Sequence, residues 1–300
     1  VTFPPGYRIG HATDSRRRTG CTVILPPPGT IAAVDVRGGA PGTRETGVFS
    51  PGNLVSQIDA VVFSGGSAFG LAAADGVAGW LRERGIGFPI GPARVPIVAG
   101  AVLFDLAVGD ADAFPGEAMG RQACEAAREF NEERGPIGAG AGATVGKILG
   151  IEHASPGGVG VASTTLPGGG VVAALAAVNA FGDVVDPETG ALLAGPRRDG
   201  FRTERVLRES ELPCGPFAGG NTTLVCVSTS VPFDTGALKR VAIEAHDGLA
   251  RAVRPAHTVV DGDVVLALAP GGAAPPLLER LRVGAAAADA AARAIAAAVR

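Results

Sequence analysis

The sequence predicts an α/β protein built in layers, with helices covering sheets. Three observations point there: short β-rich apolar runs, longer segments of helical periodicity between them, and a glycine content about twice the usual roughly 7%, 46 in 300 residues. The runs CTVILP (21–26), IAAVDV (31–36), AVVF (60–63), GVVAALAAV (170–178) and TLVCVSTSV (223–231) read as strands bounded by Gly/Pro turns. Residues 67–84 place Leu71, Ala74, Ala78 and Leu81 on one helical face, with Gly85 as the stop. A second helix is expected over 116–134, with Glu125, Glu129, Glu132 and Glu133 on its solvated side. A third is expected over 235–253, where Leu238, Val241, Ala242, Ala245 and Leu249 recur behind Asp234 as N-cap. The alanine-rich stretch 276–300 forms at least one more, with an interruption expected at Gly284. Segment 183–220, carrying Asp186-Pro187, Gly195-Pro196 and Arg197-Arg198, has turn chemistry and charge and reads as an exposed loop or linker.

Composition narrows the function classes. A net charge of −3, with Arg16-Arg17-Arg18 as the one tight basic run, gives a nucleic-acid groove little support. No stretch reaches the roughly 18 uninterrupted apolar residues of a membrane span, and no basic, apolar leader opens the chain, so a cytoplasmic location is the default expectation. Cys21, Cys124, Cys214 and Cys226 lack CxxC spacing and read as buried free thiols. His11, His153, His246 and His257 form no HExxH-like cluster, so neither a metal nor another cofactor is expected.

Five places carry residue types suited to chemistry. In Gly219-Gly220-Asn221-Thr222-Thr223, a threonine follows a glycine-strained turn. Such a hydroxyl can attack its own preceding carbonyl, and hydrolysis of the ester then leaves it beside a new N-terminal amine. That amine, with a reference pKa of roughly 7.7–8.0, can serve as base at neutral pH. The plain alternative is a turn before a Thr-rich strand. Asp261-Gly262-Asp263 puts two carboxylates either side of a glycine, able to orient a hydroxyl and an ammonium, or else to make an Asp-Gly hairpin turn. Lys147, closing GAGAGATVGK, can hold a carboxylate or depress a neighbouring amine's pKa, and Asn179 can donate to an oxyanion. A solvated strand-end lysine and a turn asparagine are their alternatives. Finally, Ser64-Gly65-Gly66-Ser67-Ala68-Phe69-Gly70 joins a strand to a helix start but lacks phosphate-loop spacing, and reads as a tight backbone turn.

Across most of the chain, and in one order, the segments TGCTVIL (19–25), VRGGAPGTRET (36–46), GGSAFGLAAADGV (65–77), VPIVAGAVLFDL (95–106), GAGAGATVGK (138–147), GNTT (220–223) and AHDGLARAV (245–253) resemble the self-processing aminopeptidases. That family includes L-aminopeptidase/D-esterases, β-peptidyl aminopeptidases and nylon-oligomer endo-hydrolases; the last branch is the nearest in pattern. The resemblance implies a layered α-β-β-α sandwich with an N-terminal-nucleophile-like autoproteolytic site. It also implies one hydrolase domain over 1–300, cut between Asn221 and Thr222 into fragments 1–221 and 222–300 that stay together. Lys147, Asn179, Asp261 and Asp263 fall at positions matching the family's site, Asp261 and Asp263 at the same spacing after the nucleophile as in the nylon-oligomer branch. Phe104 stands where relatives carry a tyrosine.

The expected activity is therefore that of an N-terminal-threonine amide hydrolase on aminoacyl amides, short peptides or ω-amino-acid oligomers. Two readings from other classes stand beside it. An acyltransferase would pass the same threonine ester to an amine, as the similarly self-cleaving ornithine acetyltransferases do. A non-enzymatic scaffold would use the glycine loops as a binding surface. The expected partners are a small-molecule or short oligoamide substrate and further copies of the chain, as a tetramer of processed units, with neither nucleic acid nor membrane.

Overall fold

The computed structural model describes residues 3–129, 131–198, 200–209 and 220–300. Two five-stranded sheets form its centre. The first runs in spatial order Arg8–Asp14, Thr19–Leu25, Ala60–Ser64, Val98–Val102 and Thr43–Arg44. The second runs Gly158–Thr165, Val171–Asn179, Thr222–Thr229, Val264–Pro270 and Thr30–Val36. Helices Ala73–Glu83 and Glu117–Glu125 lie on the first sheet, and Thr235–Ala252 and Leu277–Ala297 on the second.

Alternation along the strands explains why they read as unbroken apolar runs rather than as one-sided ones. Ala173, Leu175 and Ala177 enter a core between the two sheets, with Phe63, Ala99, Leu224 and Leu266. Their neighbours Val172, Ala174, Ala176 and Val178 enter a second core beneath the last two helices. Cys21, Val23, Val62, Trp80 and Leu81 make a third core under the first two helices. A strand buried on both faces has no polar side to show. The three cores in series define the α-β-β-α sandwich.

Most predicted elements stand where expected, including the Asp234 cap, whose carboxylate accepts the Ala237 N–H at 2.8 Å. Four differ. The segment from Ser67 begins as a 3-10 turn to Ala72 before the α-helix starts. The second helix ends at Glu125, because Arg128 exchanges backbone hydrogen bonds with Ile9 and Asn131 Nδ2 donates to the same Ile9 carbonyl, turning the chain onto the sheet edge. Glu129, Glu132 and Glu133 are exposed, though not on a helix. Gly284 does not interrupt the final helix; it gives Glu244 of the neighbouring helix room, since a Cβ there would lie 1.6 Å from Glu244 Oε2. Segment 183–209 is tied in rather than a linker: buried Asp183 accepts the Thr203 N–H at 2.9 Å at the start of helix Thr203–Glu209, and strands Asp183–Val185 and Leu192–Ala194 pair. Residues 210–219 of that expected linker, Cys214 among them, lie outside the described residues, whereas Cys21, Cys124 and Cys226 are buried free thiols.

The last two helices cross at glycine. A Cβ on Gly248 would sit 1.9 Å from the Ala288 carbonyl oxygen, a backbone atom that cannot swing away. Gly248→Ala is accordingly expected to destabilise the fold by about 1–3 kcal/mol, the usual cost of overpacking. A thermal melt showing an unchanged midpoint would contradict this crossing.

Candidate active site

Register brings the candidate residues together. In the second sheet Asn179 pairs with Thr222, and Leu224 pairs in parallel with Val264. Extending that parallel pair by three residues gives the isolated bridge between Asn221 and Asp261. One strand thus ends at Asn179, the next begins at Thr222, and the third is entered through Asp261-Gly262-Asp263. Because the third strand lies between Thr222–Thr229 and Thr30–Val36, the two aspartates do not form a hairpin turn. Arg37 and Gly38 instead donate backbone N–H groups to the Asp263 carbonyl, and Ala40 donates to that of Asp261. Gly38 is required there: its Cβ would lie 2.3 Å from both Asp261 O and Asp263 N.

Thr222 is buried, and its hydroxyl donates to the carbonyl oxygen of Asn221 at 2.5 Å. The same oxygen accepts the Gly262 N–H at 2.8 Å. The nucleophile candidate thus lies against the peptide preceding it, and a rigid backbone donor polarises that carbonyl.

Lys147 reaches the cluster from the turn after strand Thr144–Val145, where its own N–H is fixed by Phe181 O. Its Nζ donates to Asn179 O at 2.9 Å, Asn179 Oδ1 at 2.8 Å and Gly220 O at 2.9 Å. Burial pushes the Lys147 amine down to about 7, opposed by the charge of Asp261. The Asn179 amide is oriented by its partners. Oδ1 faces two donors, Lys147 and the Thr144 N–H, so Nδ2 must face the carbonyls of Phe104 and Gly220, at 3.0 and 2.8 Å. Both Asn179 amide protons are therefore engaged, and the Asn221 carbonyl takes its donors from Gly262 and Thr222 instead. Phe104 contributes its backbone oxygen where a phenol was in question.

Both carboxylates are buried and neither bonds to the Thr222 hydroxyl. Asp261 accepts Phe181 N–H at 3.2 Å and Thr258 N–H at 3.1 Å, together with the Thr258 hydroxyl. Asp263 accepts Thr223 N–H at 2.7 Å on one oxygen, and His257 N–H at 2.9 Å and Nδ1 at 2.8 Å on the other. Burial, then the Asp263 charge, raise Asp261 to about 6. Thr258, His257, Phe181 and the Gly262 amide were not legible from sequence. Three of them act through main-chain groups, and His257 belongs to no ligand pattern. The Ser64–Gly70 stretch is a tight turn, with Gly66 at φ 78° and Ser67 at φ 53°. Among the described residues no group of three His, Cys, Asp or Glu side chains is arranged to hold a metal, and no helix is long and apolar enough to cross a membrane.

Both the fold and the sequence are shared with known proteins. Solved structures of a Burkholderia sp. beta-aminopeptidase and of the L-aminopeptidase D-Ala-esterase/amidase of Ochrobactrum anthropi, the latter described as a variant of the Ntn hydrolase fold, both superpose with TM-score 0.72. They are 22% and 20% identical, covering 98% and 99% of this chain and 84% and 86% of theirs, and so share its fold. An uncharacterized aminopeptidase of Mycobacterium tuberculosis is 44% identical over all of this chain and 93% of its own length. The 6-aminohexanoate-oligomer endohydrolase of Kocuria sp. is 33% identical over 88% of this chain and 73% of its own. Fold and relatives together define a hydrolase of peptide or other amide bonds. The chain belongs to peptidase family S58, whose description matches residues 3–300.

Proposed function

We propose that the chain is a precursor that cuts its own Asn221–Thr222 peptide and then uses Thr222 as an N-terminal nucleophile. The observation that carries this reading is the Asn221 carbonyl oxygen, which lies 2.5 Å from the Thr222 hydroxyl and 2.8 Å from the Gly262 N–H. Attack by Oγ on the Asn221 carbon would put negative charge on that oxygen, where Gly262 already donates. Collapse breaks the C–N bond, the Thr222 nitrogen takes a proton, and water hydrolyses the ester. Fragments 1–221 and 222–300 would stay associated, because Leu224 and Leu266 on one side of the cut share a core with Phe63 and Leu175 on the other.

On this reading scission also vacates two donors. Lys147 Nζ and Asn179 Nδ2 both hold Gly220 O, which would become part of a free chain end. Once it leaves, both can face an incoming substrate, and Asn179 then takes the oxyanion role expected of it. Thr222 Oγ attacks the substrate carbonyl, its own amine receives the proton, and water releases the acyl group. Lys147, Asp261 and Asp263 fix the charges and direction around the nucleophile. A cleft lined by Arg18, Ala107, Val108, Thr144, Ile151 and Arg197 opens beside Thr144, whose N–H Asn179 holds, and is where we place the substrate. Short linear substrates, either aminoacyl amides or ω-amino-acid oligomers, are the proposed class, supported by the two kinds of relative named above.

Intact-mass analysis of the purified wild-type chain tests the proposal. Two masses that divide the sequence at 221/222 are expected, and a single mass that persists on prolonged incubation would overturn it. The processed enzyme should lose turnover as pH falls through about 6, because Asp261, raised by burial and by Asp263, takes up a proton there. A rate flat from pH 7 to pH 5 would remove Asp261 from the mechanism.

We also propose that processed units assemble as a homotetramer in the cytoplasm. Most alanines of the last helix are buried within their own chain, Ala287, Ala290, Ala291 and Ala294 with Ile295 among them, so that stripe is not what would join copies. Its first turns are open, with Leu277, Leu278 and Leu281 each more than half exposed.

A further inference from the structure

Loop residue His257 is held in a conformation its own backbone does not favour. Its φ is 56°, the left-handed region that costs a side-chain-bearing residue energy unless its surroundings impose it. What that conformation achieves is double contact with one atom: the backbone N–H and ring Nδ1 of His257 both reach Asp263 Oδ2, at 2.9 and 2.8 Å. The other Asp263 oxygen accepts the Thr223 N–H, one residue from the nucleophile. At the far side of the ring, Nε2 is buried with no hydrogen-bond partner among the described residues. A protonated Nε2 would be a buried orphan donor, whereas a bare lone pair costs less. The proton therefore belongs on Nδ1, where it points at the carboxylate.

The ring's other neighbour carries no charge at neutral pH. His246, from helix Thr235–Ala252, meets His257 edge to face at 4.7 Å, and burial pushes it down to about 4. Its Nε2 donates to the backbone oxygen of Asp35, whose carboxylate is neutralised by Lys239 and Arg37. From its own loop His257 faces Asp263, with Asp261 two residues earlier in the chain. The charge that matters to this imidazole is thus that of the aspartate pair.

We infer that His257 is a positioning residue for the hydrolase: by donating from Nδ1 and from its backbone N–H to one oxygen of Asp263, it holds that carboxylate with its other oxygen on Thr223 N–H, and so fixes the place of the charge that Asp261 faces. The inference rests on Thr222 as the nucleophile. It adds the group that makes the two aspartates unequal.

Three variants test it. His257→Asn keeps a donor near the Nδ1 position and tolerates a positive φ; His257→Gln moves the amide out towards Nε2; His257→Phe keeps bulk without a donor. Each is measured for kcat and KM from pH 5 to pH 9 on an aminoacyl p-nitroanilide or a linear 6-aminohexanoate oligomer, beside a thermal melt. In the Phe and Gln variants kcat should fall at least about 10-fold with KM within about 2-fold, and the acidic limb should move up by about one pH unit. The Asn variant should return the limb to its wild-type position. Should the Phe variant not fold, Asn against Gln decides alone. An unchanged acidic limb in the Gln variant, or Asn no better than Gln, would overturn the role. Failure of the nucleophile assignment would show separately, as turnover retained by Thr222→Ala.

Discussion

Thr222→Ala is expected to yield one uncut 300-residue chain with no measurable turnover, while Thr222→Ser still yields two fragments. The alanine variant removes the hydroxyl that lies 2.5 Å from Asn221 O and leaves the Gly262 donor in place. Strand Thr222–Thr229 would remain buried and paired on both sides, so folding should be little affected. Loss of a positioned nucleophile costs on the order of 10⁶-fold in the best-studied hydrolases. Here the loss is compounded, because without scission the Thr222 amine is never freed and Gly220 keeps hold of Lys147 and Asn179. Denaturing gels and intact mass read the first effect, and steady-state rates the second. An alanine variant that still cuts at this peptide would show that another group attacks it. One that stays whole yet turns over substrate would separate processing from catalysis.

Legibility differed between fold and site for physical reasons. The strand runs were readable because an apolar segment such as Val171–Asn179, buried on both faces, has no other stable place. Helix ends were less so: nothing local in 126–134 reports that Ile9, more than a hundred residues earlier, will take the Arg128 backbone. Gly284 looked like a break because propensity is local, whereas the Glu244 carboxylate that needs the space lies on another helix. In the site, Thr222, Lys147, Asn179, Asp261 and Asp263 could be named from side-chain chemistry and family pattern. Their wiring could not. Asp261 and Asp263 were expected to orient a hydroxyl and an ammonium, yet they hold backbone N–H groups of Phe181, Thr258, Thr223 and His257. The backbone donor to the Asn221 carbonyl is an amide of glycine, a residue with no side chain to betray it.

Lys147→Met should have the second largest effect, slowing both self-cleavage and turnover by about 10²-fold or more. Methionine has nearly the same length and keeps the apolar part of the side chain, so lost packing is a minor component. What disappears is a set of three donors to Asn179 O, Asn179 Oδ1 and Gly220 O. Asn179 would then be oriented on its Oδ1 side by the Thr144 N–H alone, and Gly220 would lose one of the two donors that fix the turn before the cut. The electrostatic loss acts later. An ammonium near a free Thr222 amine disfavours that amine's protonated form, which keeps it available as a base. Because burial brings Lys147 to about 7, it is partly charged at neutral pH and gains charge as pH falls. The variant's turnover should therefore require a higher pH than wild type, since its Thr222 amine would hold its proton longer. Lys147→Arg should not restore the rate: a planar guanidinium is larger, stays charged throughout this range, and cannot direct three donors onto three clustered carbonyl oxygens as an ammonium does. The measurement is a time course of fragment appearance with kcat from pH 6 to pH 9. Arginine performing as well as lysine would reduce the role to that of a bare positive charge, and a methionine variant with wild-type rates would place Lys147 outside the mechanism.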